Sequence, residues 1–393
     1  MADSEFIPYA RQSITQEDVE AVAHALKGNV ITRGPLVEAF EQAVADYCHV
    51  KYAVAFSSGS TALLAAYRAA DIRPGDKILT TPNSFIATTG SAVLCGATPV
   101  FIDIDPQTAN IDLDQLKLNV EVSSSGRKTV IAPVHFAGVP VDMEKIGKML
   151  TSSQQIVIED AAHAIGSRYK DGQMVGCCAW SDMTIFSFHP AKTMTTGEGG
   201  MVTTNNPDLY HLLRRFRNNC IERDPKYLQL PPNPWHYEVT ECGSNYNFTE
   251  MQAALGLSQL KRIDAFISKR QRLVALYKER LHHVKNVRFL QYDRPDDVSP
   301  HLCVVRIDYS AFKTTRKQLM ESLIGKNIGT QVHYIPIYKH PVFADQIGDI
   351  SEYFPAMEGY FAECLSLPLY YDLSEEQVIM IAEELKRSLV SKR

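Results

Sequence analysis

Lys192 follows the run MTIFSFHPA and precedes TMTTGEGG, so an apolar strand pattern ends in a loop of hydroxyls and glycines around one lysine. A lysine set beside a cation can lose its proton, and only the neutral amine attacks an aldehyde. Upstream, the apolar stretch IVIE ends on Asp160, with Ala161, Ala162 and His163 behind it. A carboxylate there can pair with a protonated pyridine nitrogen and keep it cationic, and two small residues leave room for a flat ring. Taken singly, each has a plainer explanation: a solvated lysine, a helix cap, a metal ligand. A metal needs more partners than His163 supplies, and no HxxE or ExxH pair includes it. His163 is therefore expected to support the site or to face the substrate.

Ser57-Ser58-Gly59-Ser60-Thr61 ends the strand pattern YAVAF and opens the apolar helix pattern ALLAAY. Hydroxyls and a small flexible residue at a helix N-terminus make an anion site, or simply a good cap. The pattern is neither a nucleotide P-loop nor GxGxxG, which leaves ATP and NAD poorly supported. Ser187 carries a hydroxyl that can reach a phosphate, and Phe85 in PNSFIATT can cover one face of a planar ring or pack as core. An aldehyde-reactive amine, a partner for a pyridine nitrogen and a phosphate cradle together describe a site for pyridoxal 5'-phosphate.

The elements that must hold these groups are legible as a pattern. YAVAFS, KILTT, PVFID, VIAPVHF, IVIED, MTIFSFH and GMVTT read as strands alternating with helical stretches. That alternation predicts an α/β fold with a largely parallel sheet covered on both faces, whose ligands gather at the carboxyl ends of the strands. The expected organisation is an N-terminal segment and large domain over residues 1–250, then a linking helix and small α+β domain over 251–393. Thr249 to about His283 reads as almost continuously helical, CVVRID and QVHYIPIY as strands, 284–300 as a polar connection, and Ser374 with Gln377 as the cap of a last helix. His333, Tyr334 and Tyr338 in QVHYIPIY are expected to approach the substrate from the small domain.

Bulk properties exclude other classes. The 393 residues are 45% hydrophobic and 22% charged, with a formal charge of -5, so nothing marks a nucleic-acid-binding surface. No apolar run reaches the roughly 18 residues needed to span a bilayer, and MADSEFIPYA is not a signal peptide, so the cytoplasm is the expected compartment. The eight cysteines form no CxxC pair and are expected as reduced, mostly buried thiols.

These residues closely resemble the DegT/DnrJ/EryC1/StrS sugar aminotransferases, fold-type I pyridoxal-phosphate enzymes that aminate nucleotide-linked keto-sugars. ITRGP at 31–35 resembles the family's turn near the active site and places Thr32 by the substrate. SSGSTAL at 57–63 resembles its phosphate loop, with Ser58, Gly59, Ser60 and Thr61. Phe85 matches the ring-stacking position, Asp160 the pyridine-nitrogen aspartate, Ser187 a phosphate ligand and Lys192 the lysine that bonds the aldehyde. His163 stands where members carry glutamine or histidine near the sugar. Asn245 in GSNYNFTEMQAALG resembles the asparagine that reaches the phosphate of the neighbouring subunit, which implies a homodimer with shared sites. Asn247 departs from the family, which commonly has arginine there. FIPYARQSITQEDVEAV, PVHFAGVPVDM and FSFHPAKTMTTGEGG are similar to the branch that serves pseudaminic acid synthesis. That likeness implies L-glutamate as donor and UDP-2-acetamido-2,6-dideoxy-β-L-arabino-hexos-4-ulose as acceptor. Another UDP-, dTDP- or GDP-linked keto-sugar is the alternative.

Overall fold

The computed structural model describes residues 6–122, 127–231 and 233–390; MADSE, part of the opening read above, lies outside them. β1 (Tyr52–Phe56), β2 (Lys77–Thr80), β3 (Thr98–Phe101), β4 (Thr129–Ala132), β5 (Gln155–Asp160), β6 (Met183–Ser187) and β7 (Gly200–Thr204) form one sheet in the order β1-β7-β6-β5-β4-β2-β3. The pairs β2–β3, β2–β4, β4–β5 and β5–β6 are parallel, as the alternating pattern predicts. β7 runs antiparallel to both β1 and β6. No helix follows Lys192 to carry the chain back for a parallel return, so the chain reverses directly.

Both faces of this sheet are covered. Helix Gly59–Ala69 buries Ala62, Leu63, Ala65, Ala66 and Ala69 against Val54, Ile185 and Val202. Its many alanines let it sit close to the strands. The opposite core gathers Phe40, Val44, Phe186, Phe188, Phe248 and Phe266. These large side chains fix where the strands end and so where the loops beyond them begin.

β8 (Ile221–Glu222) and β9 (Glu238–Val239) form a small hairpin. β10 (Val287–Phe289), β11 (Cys303–Ile307) and β12 (Cys364–Leu367) form an antiparallel sheet in that order. Helices Ile263–Leu281 and Glu375–Val390 cover it with Leu273, Tyr277 and Leu281 on one and Val378, Ile381, Leu385 and Leu389 on the other. Ser374 and Gln377 form the expected reciprocal cap at the start of the last helix. A carboxylate just after β3 caps the helix Pro355–Glu363: Asp103 accepts from the amides of Ala356 and Met357, each at 2.9 Å.

Three readings of the chain need correction. The helical run from Thr249 breaks at Lys261 and Arg262, giving helices Glu250–Leu260 and Ile263–Leu281. Arg262 there reaches the fully buried Asp18 at 2.5 Å. The segment 284–300 contains β10. QVHYIPIY is not a strand: only Gln331 pairs, with Ser366, and the rest is a loop closing in the turn Ile337–Lys339. Its backbone groups are taken by side chains instead, since Tyr334 N–H donates to Asn83 Oδ1 at 3.3 Å and His333 C=O accepts from Tyr360 Oη at 2.8 Å. Pro336 has no N–H to give. All eight cysteines are free, six of them buried. Among the described residues no helix is long and apolar enough to cross a membrane.

Candidate active site

A cavity of about 890 Å³ opens where β5 and β6 end and helix Gly59–Ala69 begins, and the loop through His333 and Tyr334 closes its far side. Lys192 lies on its wall in a loop that the hydroxyls of TMTTGEGG fold back on itself. Thr195 Oγ1 and Thr196 N–H both donate to the Phe188 carbonyl, at 2.9 and 3.1 Å. Lys192 is partly buried and lines the cavity. Burial pulls its pKa down to about 8, against the opposing pull of the Asp160 carboxylate. A substantial neutral fraction is thus present near pH 8.

Asp160 ends β5 and is nearly inaccessible. Its backbone is clamped to the neighbouring strand end, its N–H donating to Pro133 and its carbonyl accepting from His135. Its two carboxylate oxygens have separate partners: Oδ2 accepts from Thr88 Oγ1 at 2.5 Å and Oδ1 from Ala162 N–H at 3.1 Å. Thr88 in turn bonds Ser84 at 2.6 Å. The neighbouring Glu159 points into protein, where His135, Tyr169, Ser181 and Thr184 surround it. Adjacent positions on a strand face opposite sides, and here only the second acid reaches the cavity.

The cradle forms as the SSGST spacing predicts. Ser58 is the N-cap of helix Gly59–Ala69 and accepts from Thr61 N–H at 3.1 Å, while Thr61 Oγ1 accepts from Ser58 N–H at 3.0 Å. Ser58, Gly59, Ser60 and Ser187 line the cavity; Thr61 is spent on the cap and does not. A Cβ on Gly59 would lie 2.9 Å from Ser187 Cβ, so only glycine lets the β1 and β6 ends meet this closely. β7 holds the two ends together, since Gly200 pairs with both Phe56 and Ser187.

Histidines and a tyrosine build the remaining wall. His163 Nδ1 accepts from Ala137 N–H at 3.3 Å, which leaves the proton on Nε2 facing Tyr334 Oη at 3.2 Å. Burial, then the charges of Lys192 and His333, hold the His163 pKa well below the usual imidazole value. His333, bonded through Nδ1 to Ser366, is pulled to about 3 by burial and by Lys192. Phe85 is 57% exposed and lies on the cavity wall rather than in the core.

Not every expected residue arrives. Tyr338 is buried away from the cavity, bonding Glu358 at 2.6 Å. Thr32 and Asn245 are exposed and line no part of this chain's cavity. Thr32 pairs with Thr249, and Glu250 fixes the following turn by accepting from the amides of Gly34, Leu36 and Val37, each at 3.0 Å. Asn245 Oδ1 accepts from Asn247 N–H at 2.9 Å. Conversely, His301 lines the cavity and the buried Arg270 bonds the Lys192 carbonyl. Neither sits in a local motif, so no sequence signal marks them.

A weakly basic amine, a carboxylate with both oxygens oriented, and the hydroxyls of Ser58, Ser60 and Ser187 around a helix start fit pyridoxal 5'-phosphate: aldehyde, ring nitrogen and phosphate each meet a suited group. The chain matches the model of the DegT/DnrJ/EryC1/StrS aminotransferase family over residues 12–386. It is 34% identical to the spore coat polysaccharide biosynthesis protein SpsC of Bacillus subtilis, covering 97% of this chain and 96% of that protein. It is also 34% identical to the UDP-4-amino-4,6-dideoxy-N-acetyl-beta-L-altrosamine transaminase of Campylobacter jejuni, covering 96% of each. Among solved structures it is similar to Helicobacter pylori PseC, an aminotransferase involved in the biosynthesis of pseudoaminic acid. The TM-score is 0.89 at 30% identity, over 98% of this chain and 100% of that one. Spr1654 of Streptococcus pneumoniae in its PLP form gives a TM-score of 0.86 at 26% identity, over 98% and 99% of the chains. The chain belongs to the DegT/DnrJ/EryC1/StrS aminotransferase family and is a pyridoxal-phosphate-dependent sugar aminotransferase.

Proposed function

We propose that the enzyme transfers the amino group of L-glutamate to C4 of UDP-2-acetamido-2,6-dideoxy-β-L-arabino-hexos-4-ulose. The product is UDP-4-amino-4,6-dideoxy-N-acetyl-β-L-altrosamine, made in the cytoplasm for pseudaminic acid biosynthesis. The observation that carries this reading is the near full-length likeness to the Campylobacter transaminase together with the PseC fold match. The cofactor supplies an aldehyde that takes up the amino group and a cationic ring that accepts the electrons released at the reacting carbon. Lys192 moves the proton, first from the α-carbon of glutamate and later to C4 of the sugar. Asp160, oriented by Thr88 and the Ala162 amide, keeps the ring nitrogen protonated. Ser58, Gly59, Ser60 and Ser187 hold the phosphate, Thr61 holds Ser58, and Phe85 covers one ring face. His163, His333 and Tyr334 present uncharged donors and acceptors to the sugar.

In this reading Asn245 and Thr32, exposed and outside their own cavity, serve the site of a partner subunit in a homodimer. We divide the chain into an N-terminal segment and large domain over residues 1–250, and a linking helix and small domain over 251–393. A second reading changes only the sugar, to a D-configured UDP-, dTDP- or GDP-linked keto-sugar. The equal identity to SpsC and the uncharged Asn247 favour keeping it. Incubation with glutamate and each keto-sugar, followed by NMR assignment of the new amine, separates the two. Conversion of only a D-configured substrate would sink the preferred one.

A further inference from the structure

The three imidazoles near Lys192 differ in what already occupies them. His163 is engaged on both ring nitrogens and His333 on Nδ1. His301 is only 5% exposed and lines the same cavity, with its ring centroid 4.4 Å from that of His163. Its Nδ1 nevertheless has no partner, and among the described residues no protein group bonds its ring. Nδ1 is itself shielded, so Nε2 is the ring nitrogen left to meet a ligand in the cavity.

The backbone of His301 is fixed from both sides. Its N–H donates to the Ala137 carbonyl at 3.0 Å, and its carbonyl accepts from Arg270 Nη1 at 3.3 Å. Arg270 projects from helix Ile263–Leu281, is 2% exposed, and forms no ion pair with a carboxylate among the described residues. It also bonds the carbonyls of Leu369 at 3.0 Å and Lys192 at 3.4 Å. Burying a guanidinium without an acid is costly. Its three carbonyl bonds tie the Lys192 loop, the segment before β11 and the segment after β12 to one point.

His163, Lys192, Arg270 and His333 are the charged and titratable groups that act most on His301, while Asp160, Glu198, Tyr9 and Tyr334 also line the cavity. Burial first, then the first four of these groups, keep the ring uncharged. A neutral imidazole offers one donor and one acceptor, which suits a hydroxyl or carbonyl oxygen, whereas a carboxylate selects a cation. We propose that His301 is a substrate-positioning residue that hydrogen-bonds an oxygen of the keto-sugar beside Lys192, with Arg270 holding it in place. The proposal rests on the sugar aminotransferase activity and not on which sugar is used, so the test employs whichever keto-sugar the enzyme converts.

His301→Phe keeps the ring volume and removes both nitrogens. In the holoenzyme, we expect KM for the keto-sugar to rise about tenfold or more, the size of one lost hydrogen bond, while the glutamate half-reaction changes less than about twofold. His301→Gln, which keeps a donor, should recover part of the loss. Equal slowing of both half-reactions, or an unchanged sugar KM, overturns the proposal. A second measurement uses the cofactor-free wild-type protein, whose His301 ring protons can be followed by NMR. We expect no titration near the ordinary imidazole value of about 6.5, and a shift of this resonance on adding the keto-sugar nucleotide but not glutamate. Titration near that value, or a response to glutamate alone, overturns it.

Discussion

Lys192 must be a good acceptor of protons at the pH where the enzyme works, and its burial makes it one. Free in the unfolded chain its amine titrates at 10.5; folded without cofactor it titrates at about 8. Between those values the unfolded chain binds more protons, so this residue's contribution makes the cofactor-free protein more stable as pH rises across that window. Lys192→Met should therefore stabilise the cofactor-free protein at pH 7, by on the order of 2 kcal/mol after allowing for solvent in the cavity. The gain should fade between pH 8 and 10.5 in urea unfolding, and a gain independent of pH would contradict the burial argument. Asp160 depends on the hydroxyl of Thr88. Thr88→Val removes a bond to a charged acceptor, so kcat/KM should fall about tenfold or more with the cofactor still bound. Lys192 and Asp160 were legible in the chain because each closes a strand pattern beside small residues. His301 and Arg270 were not, because their meaning comes from packing between segments far apart in sequence.

At the scale of elements, the phosphate cradle is a junction between β1 and β6 rather than a loop acting alone. Gly59→Ala would press a methyl group onto Ser187, 2.9 Å from its Cβ. We expect weaker retention of pyridoxal 5'-phosphate, seen as a higher dissociation constant in spectral titration, with thermal unfolding of the cofactor-free protein shifted little. Loss of folding with intact cofactor affinity in the folded fraction would argue against the junction. The strands of the large sheet were readable from their apolar runs, and so were the caps at Ser58 and Ser374. QVHYIPIY misled because its apolar alternation looks like a strand, while its hydrogen bonds go to Asn83 and Tyr360, which the local pattern does not reveal.

At the scale of the whole molecule, the residues that miss their own cavity become informative. If Asn245 completes the partner subunit's site, Asn245→Ala and Lys192→Ala proteins should each be weakly active or inactive alone. Mixed after mild dissociation, they should regain activity, because one site in each mixed dimer then carries neither change. No recovery, with mixed dimers demonstrated by mass spectrometry, would place each site within one chain.

The reversed strand β7 has a consequence for how the enzyme matures. Its pairing with β1 joins Tyr52 to Thr204, a separation of roughly 150 residues, and the same strand brings Ser187 against the start of the phosphate helix. Pairings that close so long a stretch of chain are slow to form. Capture of the cofactor then becomes a timer for the last stage of folding. In refolding experiments with pyridoxal 5'-phosphate present, its bound absorbance should appear after far-ultraviolet circular dichroism has largely recovered, and simultaneous recovery would show that the sheet closes early.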